Sequence, residues 1–427
     1  MNRSPNEIAH LIPVITPSAV ASHLKILHHA CIDRGLKSTV YAEDVHGELD
    51  FDVRPAAEFF ASEPRVDGSR LTILQFALPW EPAQNLLSRP ESLVINYHNL
   101  TPPDLIEEYW PQAAPLMRHG LYQLNQFAGR AQLAIADSAF NAMQLRAFGY
   151  DAVAIASLLT NSPALTPRPD RGLGHELKIL FVGRIAPNKS QHELVKVLNE
   201  LRHRGINARL DLVGKIEAPL YGDLVLQTVN KLGLADFVTV HGHVDDHERD
   251  RLYTDADVFV CLSDHEGFCA PIVEAFSAQL PVVAFDAGAV GETAGQGAIL
   301  VKSKQPAVVA SAVLALLRDD DERKFRIGHG LQRAEYFSKE RGINEFFSAL
   351  ELRFGPMRST VTAKKSTVKS RISSRVRSSI NSMAWSAISP IVGRLDRIEQ
   401  RLQGVETTLN AKPKNAAASP DDGEINC

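Results

Sequence analysis

The chain has 427 residues, a formal net charge of −4 from 46 Lys and Arg against 50 Asp and Glu, and four cysteines. A composition of 44% hydrophobic and 22% charged residues is ordinary for globular proteins, and it excludes wholesale disorder and a small disulfide scaffold. The near balance of charges excludes a protein-wide basic field of the kind that attracts nucleic acid. The length suits two lobes with an appendage.

The cysteines show no C-x-x-C spacing, and nowhere do 18 apolar residues run together. The first residues lack a basic region followed by a long apolar run. We therefore expect a cytosolic protein whose contact with a membrane is peripheral.

Strands and helices are predicted to alternate along the first 160 residues. A strand at 8–14 precedes a helix at 20–31, and a long helical stretch is predicted over 105–129. Further strands are predicted at 38–41, 71–77, 93–97, 133–136 and 153–156. Alternation of this kind is typical of a mostly parallel α/β sheet. Residues 161–177, rich in proline and glycine, are predicted to link this lobe to a second one.

The second lobe, residues 178–340, repeats the alternation. Strands are predicted at 178–182, 209–213, 238–241, 258–261 and 281–285. A helix is predicted to begin at about residue 191, where Ser190 and Glu193 form a capping-box pattern. Its apolar face comprises Leu194, Val197, Leu198 and Leu201.

The C-terminal region departs from globular composition. Residues 341–355 are predicted to form a helix that returns to the first lobe. Residues 356–386 form a basic, serine-rich segment, and 387–410 keep an a/d heptad seam that predicts a short coiled coil. Residues 411–427 are predicted to be disordered. We expect a homo-oligomer through the heptads, with the basic segment near anionic lipid or an acidic partner.

The densest chemical signal is a buried strand, a glycine turn and a helix opened by Pro271. The backbone amides of residues 267–270 would lie at the helix N-terminus, which favours a phosphate. Glu266 and Glu274 could face one ligand at two depths. The alternative is a capped helix with two solvated acids.

A second candidate site follows the strand at 178–182. Arg184 and Lys189 flank a predicted helix start, an arrangement that suits a diphosphate. The segment nearly matches a phosphate-binding loop, but Asn188 replaces the second glycine and Pro187 lacks an N–H. The alternative is that both cations are simply solvated.

A third candidate is His98, which follows the carboxyl end of the predicted strand at 93–97. Ligands of open α/β sheets bind at that edge. A lone histidine is more often structural, so both readings stay open.

Several other site classes are not expected. The G-x-G triplets do not open a strand-to-helix turn, and H-E-x-x-H and G-x-S-x-G are absent from the sequence. Asp255 and Asp257 are explained by a helix end and a strand start. We expect no catalytic metal.

The G-R…K segment from Gly183 to Lys189 and the segment Glu266-Gly-Phe-Cys-Ala-Pro-Ile-Val-Glu274 together resemble the donor half of retaining glycosyltransferases of family four. This resemblance covers roughly residues 178–300. The first half is similar to a bacterial polysaccharide-assembly subgroup, through residues 97–103 and 136–141. The resemblance implies a GT-B fold, in which two Rossmann-like lobes face a cleft.

The resemblance also implies roles for particular residues in holding a nucleotide-diphosphate sugar. Arg184 and Lys189 would bind the diphosphate, Glu274 the ribose and Glu266 the transferred sugar. The remaining donor contacts would come from the backbone amides of Gly267, Phe268 and Cys269. His98 would contact the sugar near the reacting carbon, and neither metal nor cofactor would be needed.

The implied function is retaining transfer of a hexose, with GDP-mannose the favoured donor, to a glycan or lipid-linked acceptor in surface polysaccharide synthesis. The first lobe would lie on the acceptor side. Thr16 to Ala19 replace the glycines found after the first strand in many relatives, which leaves the acceptor-side phosphate contact open. Alternatives are a GT-B sugar-nucleotide epimerase or hydrolase, and a non-catalytic GT-B scaffold. Nucleic acid is not expected as a partner.

Overall fold

The computed structural model describes residues 4–47, 49–160 and 175–357, all within one compact unit. The predicted linker lies almost wholly outside these ranges. The basic segment (except residues 356 and 357), the coiled coil and the C-terminal tail also lie outside them.

The first lobe contains a parallel sheet of seven strands within the described residues, in the order β3-β2-β1-β4-β5-β6-β7. The strands are β1 Glu7–Ile15, β2 Lys37–Val45, β3 Val53–Pro55, β4 Arg70–Phe76, β5 Ser92–Tyr97, β6 Leu133–Ala136 and β7 Val153–Ile155. All seven residues of β4 are buried, as expected for a strand covered on both faces. The predicted parallel sheet is confirmed, although β3 was missed.

Helices cover both faces of this sheet. They are α1 Ala19–Asp33, α2 Ala56–Ala61, α3 Ala113–Ala128 and α4 Ala139–Ala147, with short 3₁₀ helices at Glu81–Leu87 and Pro103–Leu105. The continuous helix predicted over 105–129 was wrong in its first turns. Pro111 has no N–H and disfavours helical geometry at Trp110, so α3 starts only after this point.

The second lobe contains a parallel sheet of six strands within the described residues, in the order β10-β9-β8-β11-β12-β13. The strands are β8 Leu177–Val182, β9 Ala208–Val213, β10 Val238–Gly242, β11 Val258–Cys261, β12 Val282–Phe285 and β13 Ala298–Val301. Five of them match predicted strands to within a residue. The last one, β13, was not predicted.

The helices of this lobe pack on both faces of its sheet. They are α5 Gln191–His203, α6 Pro219–Lys231, α7 Asp246–Asp255, α8 Ala270–Ser277, α9 Val290–Ala294, α10 Pro306–Arg318 and α11 Asp320–Tyr336, with 3₁₀ turns at Pro187–Lys189, Ala235–Phe237 and Gly295–Gly297. Among the helices of the described ranges, none has the length and apolar character needed to cross a bilayer.

The start of α5 was predicted correctly, but the capping box was wrong. Ser190 adopts a left-handed conformation (φ 54°, ψ 38°), and its side chain makes no cap. Instead its hydroxyl donates to Asp264 (2.6 Å) and accepts from Lys304 (2.9 Å). This tertiary network fixes the backbone directly after Lys189.

Helix α12, Lys339–Phe354, packs against the first lobe. Its residues Phe346 and Phe347 share a buried cluster with Ile8 and Leu27. The guanidinium of Arg34, directly after α1, donates to Asn344 at 3.0 Å. The chain thus crosses from the second lobe back to the first after α11.

Candidate functional site

The donor-side candidates meet where the strand order of the second sheet reverses. Strands β8 and β11 are neighbours at this switch point, because the chain proceeds outward from them in opposite directions. The segments that follow them, residues 183–190 and 262–269, flank one crevice. Ligands of open α/β sheets bind in such crevices at the carboxyl ends of the strands.

Lys189 and Glu266 form an ion pair across this crevice. The Lys189 ammonium donates to the Glu266 carboxylate at 2.6 Å, and the two side chains are only 15% and 10% exposed. Burial alone would lower the pKa of Lys189, but the Glu266 carboxylate outweighs it and the pKa lies above its ordinary value. The crevice therefore holds a fixed ammonium beside a carboxylate.

The glycine turn after Glu266 leads into α8, with Pro271 in its first turn as predicted. Cys269 caps the helix in a left-handed conformation (φ 69°, ψ 62°). The Glu266 carbonyl accepts the N–H of Ala289 at 2.9 Å. A Cβ on Gly288 would lie 2.4 Å from that carbonyl oxygen, so only glycine allows this approach. The amides of the turn are thus held rigidly at the start of a helix.

The two lobes touch at Gly267. A Cβ on Gly267 would lie 2.4 Å from Cβ of Asn99 and 3.1 Å from the side-chain nitrogen of Asn141. His265 Nε2 lies 2.7 Å from Oδ1 of Asn99, which also contacts Asn141 through its amide. The loop that carries His98 therefore meets the glycine turn directly.

A second bridge joins the lobes at the start of α4. Glu292 of α9 accepts the backbone N–H groups of Ala139 (2.7 Å) and Phe140 (3.2 Å). A carboxylate is favourable at this position because a helix N-terminus has unpaired N–H groups. Asp137 and Phe268 both line the neighbouring cavity between the lobes, whose volume is about 410 Å³.

The His98 side chain is only 1% exposed, and both ring nitrogens contact protein groups. Nδ1 lies 2.9 Å from Asp137, and Nε2 lies 2.8 Å from the Gln75 amide. Burial raises the pKa of the Asp137 carboxyl, although the His98 contact works against this shift. The implied contact between His98 and a sugar therefore requires release of one of these bonds.

The protonation of His98 is determined by a chain of buried polar groups that begins at a backbone amide. Leu159 donates its N–H to Nδ1 of His23 at 2.9 Å, so Nδ1 carries no proton. Burial holds the pKa of His23 well below its ordinary value, so the ring is neutral and its proton is on Nε2. That N–H meets the Asn96 amide at 2.9 Å. The structure places Nδ2 of Asn96 at this point, but a donating Nε2–H needs an acceptor, so we assign the amide oxygen to this position.

The Gln75 amide determines which nitrogen of His98 carries the proton. The structure places Oε1 of Gln75 2.9 Å from the same Asn96 atom, but with an oxygen assigned there the Gln75 amide nitrogen must take this position and donate. That nitrogen also faces Nε2 of His98, which must then accept a hydrogen bond. The proton of a neutral His98 is therefore on Nδ1 and is donated to Asp137. This order of donors fixes both the tautomer and the orientation of the ring.

The two remaining candidates lie on the flanks of the crevice. Glu274, on α8, accepts the Tyr253 hydroxyl at 2.7 Å, and burial raises its pKa although Arg249 opposes the shift. Arg184 is half exposed and pairs with Glu217 at 2.6 Å. The structure thus brings Lys189, Glu266 and the glycine turn together, and it leaves Arg184 and Glu274 with other partners. The roles assigned to all these residues stay predictions.

Sequence reasoning missed several residues of this region. Asp137 and Asn141 lie in the segment 136–141 that carries part of the family resemblance, so a signal existed, but it assigned them no role. Gln75 is the penultimate residue of the buried strand β4, where a polar residue gives little hint of its partner. Asn99 is revealed only by its contacts with the opposite lobe.

Residues 168–329 match the family model described as Glycosyl transferases group 1. Most of the second lobe is therefore similar to group 1 glycosyl transferases. This region contains the ion pair and the glycine turn, so the similarity covers the donor-side candidates. His98 and Asp137 lie outside the matched region.

Two curated proteins that are similar to part of this chain are mannosyltransferases by name. O-antigen chain mannosyltransferase B of Escherichia coli is 27% identical over 173 residues, which cover 40% of this chain and 45% of the relative. A GDP-mannose-dependent alpha-(1-6)-phosphatidylinositol monomannoside mannosyltransferase of Mycobacterium tuberculosis is 33% identical over 162 residues. The match covers 35% of this chain and 40% of that protein. The chain spans less than half the length of these relatives.

Solved structures resemble both lobes. A sucrose-phosphate synthase from Thermosynechococcus elongatus has a TM-score of 0.66 at 18% identity, covering 81% of this chain and 98% of that one. Anabaena HepE in complex with UDP and glucose has a TM-score of 0.64 at 17% identity, covering 81% of this chain and 99% of that one. These likenesses confirm the predicted GT-B fold.

Proposed function

We propose that the protein is a retaining glycosyltransferase that moves a hexose from a nucleotide-diphosphate sugar to a glycan or lipid-linked acceptor in surface polysaccharide synthesis. The observation that carries this proposal is the Lys189–Glu266 pair beside the glycine turn at the switch-point crevice. In this pair the Lys189 ammonium could bind a diphosphate, and the Glu266 carboxylate could accept hydrogen bonds from sugar hydroxyls. The reaction would take place at the cytoplasmic side, with the acceptor near the membrane.

The donor diphosphate would bind Lys189 and the amides of residues 267–269 at the start of α8. These groups are fixed before the donor arrives, so they can stabilise the charge of the leaving diphosphate without reorganisation. Arg184 would turn from Glu217 to the diphosphate. The exchange costs little because exposed ion pairs contribute only about 0–1 kcal/mol. Glu274 would accept the ribose hydroxyls, and no metal would be required.

GDP-mannose is the proposed donor. The support comes from relatives that are named mannosyltransferases, one of them GDP-mannose-dependent. HepE, which was solved with UDP and glucose, provides the competing base and sugar for the test.

The deciding experiment measures donor turnover by the full chain with GDP-mannose and UDP-glucose, with and without membrane extract and with EDTA. We expect extract-dependent transfer from GDP-mannose that survives EDTA. Free mannose formed without an acceptor would indicate a hydrolase. Conversion of the donor to another sugar nucleotide would indicate an epimerase. If the chain neither binds nor turns over a donor, it would be a scaffold. Glu266→Gln should abolish transfer, whereas the control Asp320→Asn removes an exposed carboxylate and should not.

The C-terminal segments suggest how the enzyme would reach its acceptor. The heptads at 387–410 would associate copies of the chain, and the cations at 358–377 would approach anionic lipid, each adding about 1 kcal/mol. Truncation after Gly355 should give a smaller species in light scattering and lose binding to anionic vesicles, while donor binding persists. An unchanged oligomer would refute association through the heptads, and unchanged vesicle binding would refute the lipid contact.

A further inference from the structure

Two thiols and a carboxylate converge in the donor-side crevice. The sulfur atoms of Cys261 and Cys269 lie 3.9 Å apart, and these atoms and a carboxylate oxygen of Glu266 all lie within 4.8 Å of one another. All three residues are buried. Their spacing along the chain gives no metal-binding motif, and the sequence analysis did not group them.

The separation of the two sulfurs suits a shared metal ion. In a tetrahedral site with zinc–sulfur bonds of about 2.3 Å, two sulfurs lie about 3.8 Å apart. The observed 3.9 Å is close to this separation and far beyond the length of a disulfide bond, about 2.05 Å. Two thiolates and one carboxylate form a donor set that favours Zn²⁺ or Cd²⁺ over Mg²⁺ or Ca²⁺.

The fold holds the three ligands in place before any ion binds. Cys261 is the last residue of β11, and Cys269 immediately precedes α8. Between them, the Glu266 carbonyl is anchored by the Ala289 amide. Such ligands need little rearrangement to bind an ion.

We propose that Cys261, Cys269 and Glu266 bind one thiophilic divalent cation, with Zn²⁺ or Cd²⁺ as the fitting ions, and that this ion competes with Lys189 for the Glu266 carboxylate. Binding converts the two thiols to thiolates and releases their two protons to the buffer. The ammonium of Lys189 is now 2.6 Å from the same carboxylate and must withdraw when a second cation arrives. The occupied state therefore removes the ion pair on which the proposed transfer rests, so the ion acts as an inhibitor rather than a cofactor.

The test titrates the reduced, chelator-treated full chain with Cd²⁺ and follows the ultraviolet thiolate-to-cadmium charge-transfer band. We expect one ion to bind with release of two protons. Cys261→Ser and Cys269→Ser should each weaken binding about tenfold or more, because losing a ligand should cost at least as much as losing an outer-shell partner. The matched control Cys31→Ser removes a buried thiol of the first lobe and should bind as the parent does.

A second variant tests the competition directly. Lys189→Gln removes the competing ammonium and should bind Cd²⁺ more tightly than the parent, a gain that a merely structural lysine would not give. Parent-like binding by both serine variants, or loss of the band in Cys31→Ser, would overturn the site. Unchanged or weaker binding by Lys189→Gln would overturn the competition.

Binding is measured without donor, so its outcome is independent of the proposed transferase activity. In the turnover assay, stoichiometric Zn²⁺ should inhibit the parent, EDTA should reverse the inhibition, and Cys261→Ser should resist it. If the ion binds but no donor turns over under any condition, the metal site stands and the proposed function fails. If turnover is present and the bound ion does not inhibit it, the inhibitory role fails.

Discussion

Leu159 donates its backbone N–H to Nδ1 of His23 at 2.9 Å, which ties the segment after the last strand of the first lobe to helix α1. His23 is fully enclosed, and its ring packs edge-on to both His98 and Phe346 of α12. One imidazole thus connects the chain that leaves the first lobe, the helix that returns to it and the catalytic candidate.

Replacing His23 by leucine should therefore affect both stability and catalysis. The change leaves the Leu159 amide without its partner, at a cost of about 1–3 kcal/mol, and removes one partner of Asn96, which keeps its contact with Gln75. It also releases the constraint that keeps the His98 proton on Nδ1. Urea unfolding should show the loss of stability, and the pH profile of turnover should shift. His46→Gln, at an exposed histidine, should change stability by less than about 0.5 kcal/mol and leave the profile unchanged.

The buried histidines of the first lobe should make the protein sensitive to mild acid. Burial lowers the pKa of His10 to about 3 and holds that of His23 well below its ordinary value. In the unfolded chain both titrate near ~6.5, so below that pH the unfolded state binds more protons and stability falls as the pH falls. The effect continues down to the folded pKa values and can reach about 1.4 kcal/mol per pH unit for each histidine.

Urea unfolding between about pH 6.5 and 5, above the usual range of carboxylates, measures this dependence. His10→Gln should reduce the slope of the unfolding free energy against pH by up to the contribution of one proton. This holds whatever the variant's stability at neutral pH. An unchanged slope would show that His10 is not responsible.

The Lys189–Glu266 pair should be strongly coupled. Removing one member leaves the other buried and unpaired, which typically costs about 3–5 kcal/mol. A double-mutant cycle with Lys189→Met and Glu266→Gln should therefore give a coupling of a few kcal/mol in thermal or urea unfolding. The exposed pair Lys302–Asp286 serves as the control and should give about 0–1 kcal/mol. Equal couplings for the two pairs would mean that the crevice is effectively solvated.

Gly267 should be required for the contact between the lobes. In Gly267→Ala the new methyl group would meet Cβ of Asn99 at 2.4 Å, so the lobes must move apart. We expect weaker donor binding and a larger radius in small-angle scattering. Asn99→Gly removes the clashing Cβ. The double variant Gly267→Ala/Asn99→Gly should therefore partly restore the contact between the lobes and the parent's radius. Gly129→Ala, where a Cβ meets nothing within 4 Å, is the matched control.

Local sequence patterns determined much of the fold. Continuous apolar runs are sufficient to mark parallel strands, because such strands are buried on both faces. Proline marked the first turn of α8 at Pro271. The strand order then places the segments after β8 and β11 at one crevice, so that Lys189 and Glu266, distant in sequence, could be assigned to one site through the family pattern.

The tertiary structure decided what each polar group does, because hydrogen bonds and ion pairs form between residues far apart in the chain. Lys189 pairs with Glu266, 77 residues away in sequence. Ser190 donates to Asp264, 74 residues away, instead of capping α5. A local sequence pattern cannot identify partners that are so far apart along the chain. The proton on His98 is determined by a backbone amide beyond β7, and the convergence of Cys261, Cys269 and Glu266 depends on how a strand end and a helix start are packed. Burial makes these pairings specific, since an unpaired polar group inside the protein costs more than the pairing itself contributes.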